Sequence, residues 1–179
     1  MNLTEPFTSI IGLASTLQRA PGEVNIWLEF ERALSTAFGH RLFTVLAFDA
    51  AKGRLRRVHS SRPDVNPVGG AKAVTDSDWT RHVLREGRIY VGSNKADIKA
   101  VFSEHELLAS IGCDSVLNIP VRKNGLTIGT LNLLDGAGQY DAASGPAALV
   151  FAQLASAPLA EYLAHAPAGP SDDGALEHV

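Results

Sequence analysis

Cys113 is the single cysteine of the chain, and it could act as a thiolate nucleophile with His105 as its base and Asp97 as the orienting acid. The residue types suit that chemistry, but their spacing is no signature. A lone cysteine at the entrance to a strand commonly serves as a small hydrophobe. Without a second cysteine, a sulfenic acid formed at Cys113 has no resolving thiol in the chain, and no intrachain disulfide or cysteine-rich metal site is expected. The six histidines stand singly, without ligand spacing, so neither a metal nor a cofactor is predicted. Trp79, His82 and Tyr90 form a different set. Their rings would stack on a planar ligand, with His82 and Asp97 as polar contacts; the alternative is that Trp79 and Tyr90 fill core. Asn118 and Asn132 are amides inside apolar runs, and each must find partners, pinning a loop or facing a ligand. Lys52, Arg54, Arg56, Arg57, His59 and Arg62 form the one basic cluster, read as charge guarding an edge strand.

These residues have to be positioned by elements that the pattern of apolar residues predicts. Residues 7–17 form a short helix, and residues 21–38 a longer one with Trp27, Phe30, Leu34 and Phe38 on one face. Pro21 suits its first turn and Gly39 its end. Two strands, Leu42–Asp49 and Arg54–Ser60, flank a turn at 50–53. A polar loop leads to Thr75-Asp76-Ser77-Asp78, which supplies the cap of a helix carrying Trp79, His82, Val83 and Leu84 and closed by Gly87. Residues 89–91 make a short strand. Two short helical stretches follow, with Ser103 and Glu106 spaced as a capping box. Asn124-Gly125 between two apolar runs is a strong hairpin signal. A two-residue turn sets Asn118 opposite Leu131 and Leu117 opposite Asn132, so the two amides are expected on opposite faces, with Asn132 toward the pocket. Residues 146–164 form a last helix, interrupted or kinked at Pro158. Hairpin-linked strands with helices segregated to the ends predict an α+β fold around an antiparallel sheet.

The run Ile111-Gly112-Cys113-Asp114-Ser115-Val116-Leu117-Asn118-Ile119-Pro120-Val121, then Gly125, then Ile128-Gly129-Thr130-Leu131-Asn132-Leu133-Leu134, resembles the hairpin of GAF domains. In that family a proline-containing strand, a short turn and a hydrophobic-Gly-x-Leu-x-Leu strand recur in this order. The resemblance extends over residues 20–165 and includes the placement of the first and last helices. It implies terminal helices on one face of the sheet, often as a dimer bundle, and a ligand pocket on the other, walled here by residues 75–110. The family's known ligands are only partly matched. Asn94-Lys95 agrees with the start of the cyclic-nucleotide motif, but Ile98 and Lys99 stand where an aromatic and acids belong, and Asn94 also suits a helix cap. Cys113 is followed by Asp114 rather than the histidine of bilin-binding members, and His82 or His105 would be needed as a haem ligand. The free methionine sulfoxide reductases carry a cysteine before the same strand as Cys113, at a longer spacing from the proline, and use a second thiol.

Length, a formal net charge of −3 and 20% charged residues describe an ordinary soluble domain with no basic field for nucleic acid or anionic membrane. Neither a signal sequence nor an apolar run of the ~20 residues needed to span a bilayer is read, which with the lone cysteine predicts a cytoplasmic protein. The expected layout is an N-terminal helical extension at 1–20, a GAF-like domain at 21–165 and a disordered tail at 166–179. The function expected is a stand-alone, homodimeric, small-molecule-binding module with no attached effector. Its predicted ligand residues are Trp79, His82, Tyr90, Asn94, Asp97, His105, Cys113 and Asn132. The rivals are a small enzyme acting through Cys113 or a pocket acid, and a protein-interaction module whose pocket is packed shut by Trp79, Tyr90 and Leu108.

Overall fold

Asn124 and Gly125 both take left-handed backbone angles, φ 52° and 80°, as a two-residue hairpin turn requires. They join β5 (Ser115–Lys123) to β6 (Leu126–Asp135) in a computed structural model that describes residues 4–19, 23–143, 145–165 and 177–178. Next to the turn the pairing is as expected, with Lys123 opposite Leu126 and Arg122 opposite Thr127. Between Val121 and Arg122 the register then shifts: Val121 pairs with Gly129, and Ile128 is the extra residue of a β-bulge. Because side chains alternate with period two, that one residue reverses the expected facing. Asn118 lies opposite Asn132, not Leu131, and both amides occupy the same face of the sheet.

β1 (Leu42–Asp49) lies antiparallel to β6 on one side and to β2 (Arg54–Ser60) on the other. The short strands β3 (Ala71–Ala73) and β4 (Tyr90–Gly92) extend the sheet, giving the order β4-β5-β6-β1-β2-β3. Residues 177–178 of the segment read as disordered lie parallel to β3 as β7 (Glu177–His178). The remainder, 166–176 and 179, falls outside the described residues, as do Pro21 and Gly22. Since β2 is flanked by β3, its arginines do not guard an edge: Arg57 is only 6% exposed.

One face of the sheet, with Phe43, Val45, Leu117, Ile119, Leu131 and Leu133, packs against the helices. These are α1 (Thr4–Thr16), α2 (Ile26–Phe38) and α5 (Gly145–His165). α2 starts five residues later than predicted, because the Asn25 side chain caps it by accepting from Leu28 N; Gly39 ends it at φ 74°. Gly129 leaves no room for a side chain between β1 and α5: a Cβ there would stand 2.1 Å from the Leu46 carbonyl oxygen and 2.5 Å from Leu159. Pro158 lies within α5 without ending it. Contrary to the reading of the sequence, this 21-residue helix is long and apolar enough to pass for a membrane span, but its Ala148, Phe151, Ala155 and Leu159 face is buried in the core.

Candidate functional site

The opposite face of the sheet presents Leu42, Thr44 and Leu46 of β1 and Asn132 and Leu134 of β6 to a cover of short elements. The cover comprises a π-helix (Thr80–Arg85), α3 (Lys95–Val101) and α4 (His105–Ser110). Ser77 Oγ accepts from Thr80 N at 3.1 Å, so the predicted cap is present. The turn that follows is wide, with Glu86 N donating to Arg81 O, five residues back. Gly87, at φ 65°, ends it. Trp79, at its start, is driven into the sheet with Val83 and Leu84 against Leu55.

A buried chain of polar groups crosses this face. Trp79 Nε1 donates to Asn118 Oδ1 at 2.9 Å, Asn118 Nδ2 to Asn132 Oδ1 at 2.8 Å, and Asn132 Nδ2 to Thr44 Oγ1 at 3.3 Å. The bulge makes this chain possible by putting both amides on one face. It ties the π-helix to β5, β6 and β1, and it fixes which way each amide points.

Beside it lies a charged set that sequence reasoning missed. Lys72 of β3, 5% exposed, is ion-paired through Nζ to Glu104 Oε1. Burial alone would raise the Glu104 carboxyl; the Lys72 charge and hydrogen bond, with smaller help from its backbone and Ser103, outweigh burial and hold it below the ordinary carboxylate value. α4 begins at His105, and Ser103 Oγ donates to Glu104 Oε2. Arg57 Nη1 donates to Pro67 O at 3.0 Å, and Gly70 leaves room for the guanidinium, which a Cβ would approach to 2.9 Å. Arg57, Asn66, Lys72 and Glu104 wall two cavities at once. One is an inner void of about 30 Å3, also lined by Leu42, Leu55, Trp79, Phe102 and Leu108. The other is an outer pocket of about 140 Å3 between the 65–71 loop and α4. The only hint in the sequence was that Lys72 sits between two alanines, in a strand too short to recognise.

Of the eight residues predicted to contact ligand, Trp79 and Asn132 line the inner void. Trp79, His82 and Tyr90 border a separate surface groove of about 550 Å3 between the π-helix and α3, with His82 Nε2 at 2.9 Å from the Ile89 carbonyl. The structure does not bring the other four to these cavities. Asn94 Oδ1 caps α3 by accepting from Ala96 N and Asp97 N, while Asp97 Oδ2 accepts from Ser93 N. His105 Nδ1 lies 3.2 Å from the Phe102 carbonyl. Cys113 is fully buried among Leu42, Leu108, Val116 and Leu134, and burial, with the Asp135 charge, pushes its thiol up to about 11. A Cys113–His105–Asp97 set therefore has neither an accessible thiol nor a free acid.

No family profile and no curated protein matches the sequence. Solved structures do match. The GAF domain of a phosphoenolpyruvate-protein phosphotransferase (ptsP) from Coxiella burnetii superposes with a TM-score of 0.70 at 15% identity, covering 93% of this chain and 96% of that one. The corresponding Acinetobacter domain gives 0.69 at 14% identity over 89% and 95%. The chain has the GAF fold. The A. aeolicus nlh2 GAF domain, solved in an inactive state, adds a third match, with a TM-score of 0.64 at 12% identity over 89% of this chain and 97% of that one. At these identities the likeness fixes the GAF architecture and leaves function to be argued from the residues of the site.

Proposed function

We propose that this chain is a sensory GAF module that binds a small polar molecule in the outer pocket and self-associates through α1 and α5. The observation that carries the first part is the wall of Arg57, Asn66, Lys72 and Glu104, all largely buried, around a cavity of about 140 Å3. Few polar groups converging in a concave site are the usual mark of a ligand pocket. Self-association is supported by Phe7 and Ile11 on α1 and Leu149 and Val150 on α5, which are exposed apolar side chains on neighbouring helices. Native mass spectrometry of freshly purified protein, followed by denaturation, tests both parts. A stoichiometric small molecule released from a dimer is the expected result, and an apo monomer would overturn it.

A second reading, an interaction module with a closed pocket, is favoured by the size of the inner void. About 30 Å3 holds roughly one water, because Trp79 and Leu108 fill the space. Under that reading no small molecule changes the melting temperature, and a binding partner does.

A further inference from the structure

Three asparagines are buried among the described residues, Asn66, Asn118 and Asn132. The side-chain amides of Asn118 and Asn132 are hydrogen-bonded at both ends. That of Asn66, 7% exposed, makes no hydrogen bond within the described residues. Its backbone, by contrast, is tied down on both sides. Asn66 N donates to Arg62 O at 2.8 Å, and the carbonyl of the next residue, Pro67, accepts from Arg57 Nη1 at 3.0 Å. Arg57 N donates to Gly70 O and Gly69 N to Arg57 O, which closes the loop onto β2. The loop is thus complete without the Asn66 amide, which does not cap backbone as Asn25 and Asn94 do. A buried amide without a partner is rare and unfavourable. This one lines both the inner void and the outer pocket.

We infer that Asn66 is the recognition residue of the outer pocket, and that its ligand is a small uncharged molecule with a carboxamide edge, an N–H donor beside a carbonyl acceptor. The inference rests on the ligand-binding reading above and names the ligand class. The Asn66 amide offers a donor at Nδ2 and an acceptor at Oδ1, side by side. A ligand with acceptors only leaves Oδ1 unmatched, and one with donors only leaves Nδ2 unmatched. A single hydroxyl reaches one atom at a time. A primary amide, a lactam or a urea satisfies both atoms with two parallel hydrogen bonds. Charge points the same way. Lys72 and Glu104 are already paired with each other in the wall, and Arg57 is engaged by Pro67 O. A neutral ligand leaves that pairing as it is, whereas a charged one must lose its own water without gaining a counter-ion. Val65, Ala71 and Leu107 supply apolar contact for a short alkyl part, and the volume of about 140 Å3 keeps the ligand small.

The test uses propionamide as probe, with propionate, propylammonium and n-propanol as three-carbon controls. Each is titrated into the wild-type protein, and binding is followed through the proton and nitrogen magnetic resonances of the Asn66 side-chain NH2 group. The expected result is a saturable shift of that group by propionamide, at least about tenfold tighter than for any control. Binding should be lost in Asn66→Ala, which should still melt close to wild type, because the loop closes without the amide. An Asn66 group unmoved by propionamide, or moved equally by a control, overturns the inference. So does an Asn66→Ala variant that binds as wild type does. A marked fall in its melting temperature, or a failure to fold, also counts against the inference, since the amide would then serve the loop itself. The two proposals fail separately. A native ligand of another class, found while propionamide leaves Asn66 unmoved, sinks this inference and spares the module reading. Propionamide binding at Asn66 in a protein that purifies as an apo monomer does the reverse.

Discussion

Asn118 and Asn132 face one another across β5 and β6, with the amide of the first donating to the carbonyl oxygen of the second at 2.8 Å. Each is also held on its other side, Asn118 by the Trp79 indole and Asn132 by Thr44. Replacing Asn118 by alanine strands the Trp79 N–H and one end of Asn132 in a buried site. The expected cost is about 1–3 kcal/mol for each group left unsatisfied. Chemical denaturation of the two single variants and the double variant should give a coupling energy of roughly 0.5–3 kcal/mol; simple additivity would mean that the two amides act independently.

Gly129 is crowded by β1 and by Leu159 of α5. Gly129→Ala puts a methyl group into the Leu46 carbonyl and the Leu159 side chain. Since a β-carbon so close to backbone cannot be absorbed by a rotamer change, the expected loss is about 1–3 kcal/mol or more. A Gly125→Ala change meets no neighbouring atom and should cost only what its left-handed backbone demands. Comparing the two by thermal melting separates overpacking from backbone strain.

Acid should weaken the fold in two stages. Burial is the main cause that holds His40 below its ordinary value of 6.5, so the folded state favours the neutral ring. Its contribution is fully present above about 6.5 and shrinks as the pH falls below that value, where the unfolded chain takes up the proton first. Glu104 behaves likewise lower down: its stabilisation is present above the ordinary 4.5 and is lost as the pH falls through its lower folded value. Urea midpoints between about pH 2 and 8 should show both limbs. Glu104→Gln should shrink the lower limb and leave the upper unchanged, and His40→Gln should do the reverse.

The Cys113 thiol should not react with a disulfide reagent in native buffer at pH 8, and should react fully once the protein is unfolded. Burial and a thiol pushed up to about 11 leave almost no accessible thiolate. Rapid native labelling at one equivalent per chain would reinstate the cysteine as a reactive group.

The apolar faces of α1 and α5 predict a dimer that a charge can split. Ile11→Glu combined with Leu149→Glu should convert the species seen by sedimentation to monomer while leaving the far-ultraviolet spectrum unchanged, because both side chains are exposed. A wild-type chain that is monomeric at tens of micromolar would count against this part of the proposal.

The architecture was legible where local signals are strong. Asn124-Gly125 marks its turn through the left-handed angles that those two residues tolerate, and the apolar period of residues 27–38 marks the face of α2. β1 and β2 could be bounded for the same reason, by their composition. The pocket was not legible. Its charged wall comes from β2, the 65–71 loop, β3 and the start of α4, segments that the sequence separates and only the sheet brings together. Asn94 and Asp97 look like ligand groups in sequence because the residues that cap helices are the same types that bind small molecules. Ile128 carries no signal that it will be the bulged residue, and the facing of the amides depended on it.

That bulge makes the hairpin a molecule with two reading frames spliced at a single residue. The turn is written in one frame and the pocket in the other, and Ile128 is the splice. Deleting it would fuse the frames: Arg122–Thr127 and Val121–Gly129 become successive pairs of one regular ladder, with the Asn124-Gly125 turn kept and Asn118 still opposite Asn132. In this hairpin the pocket-facing residues are therefore placed by reading outward from the Asn118–Asn132 pair rather than inward from the turn.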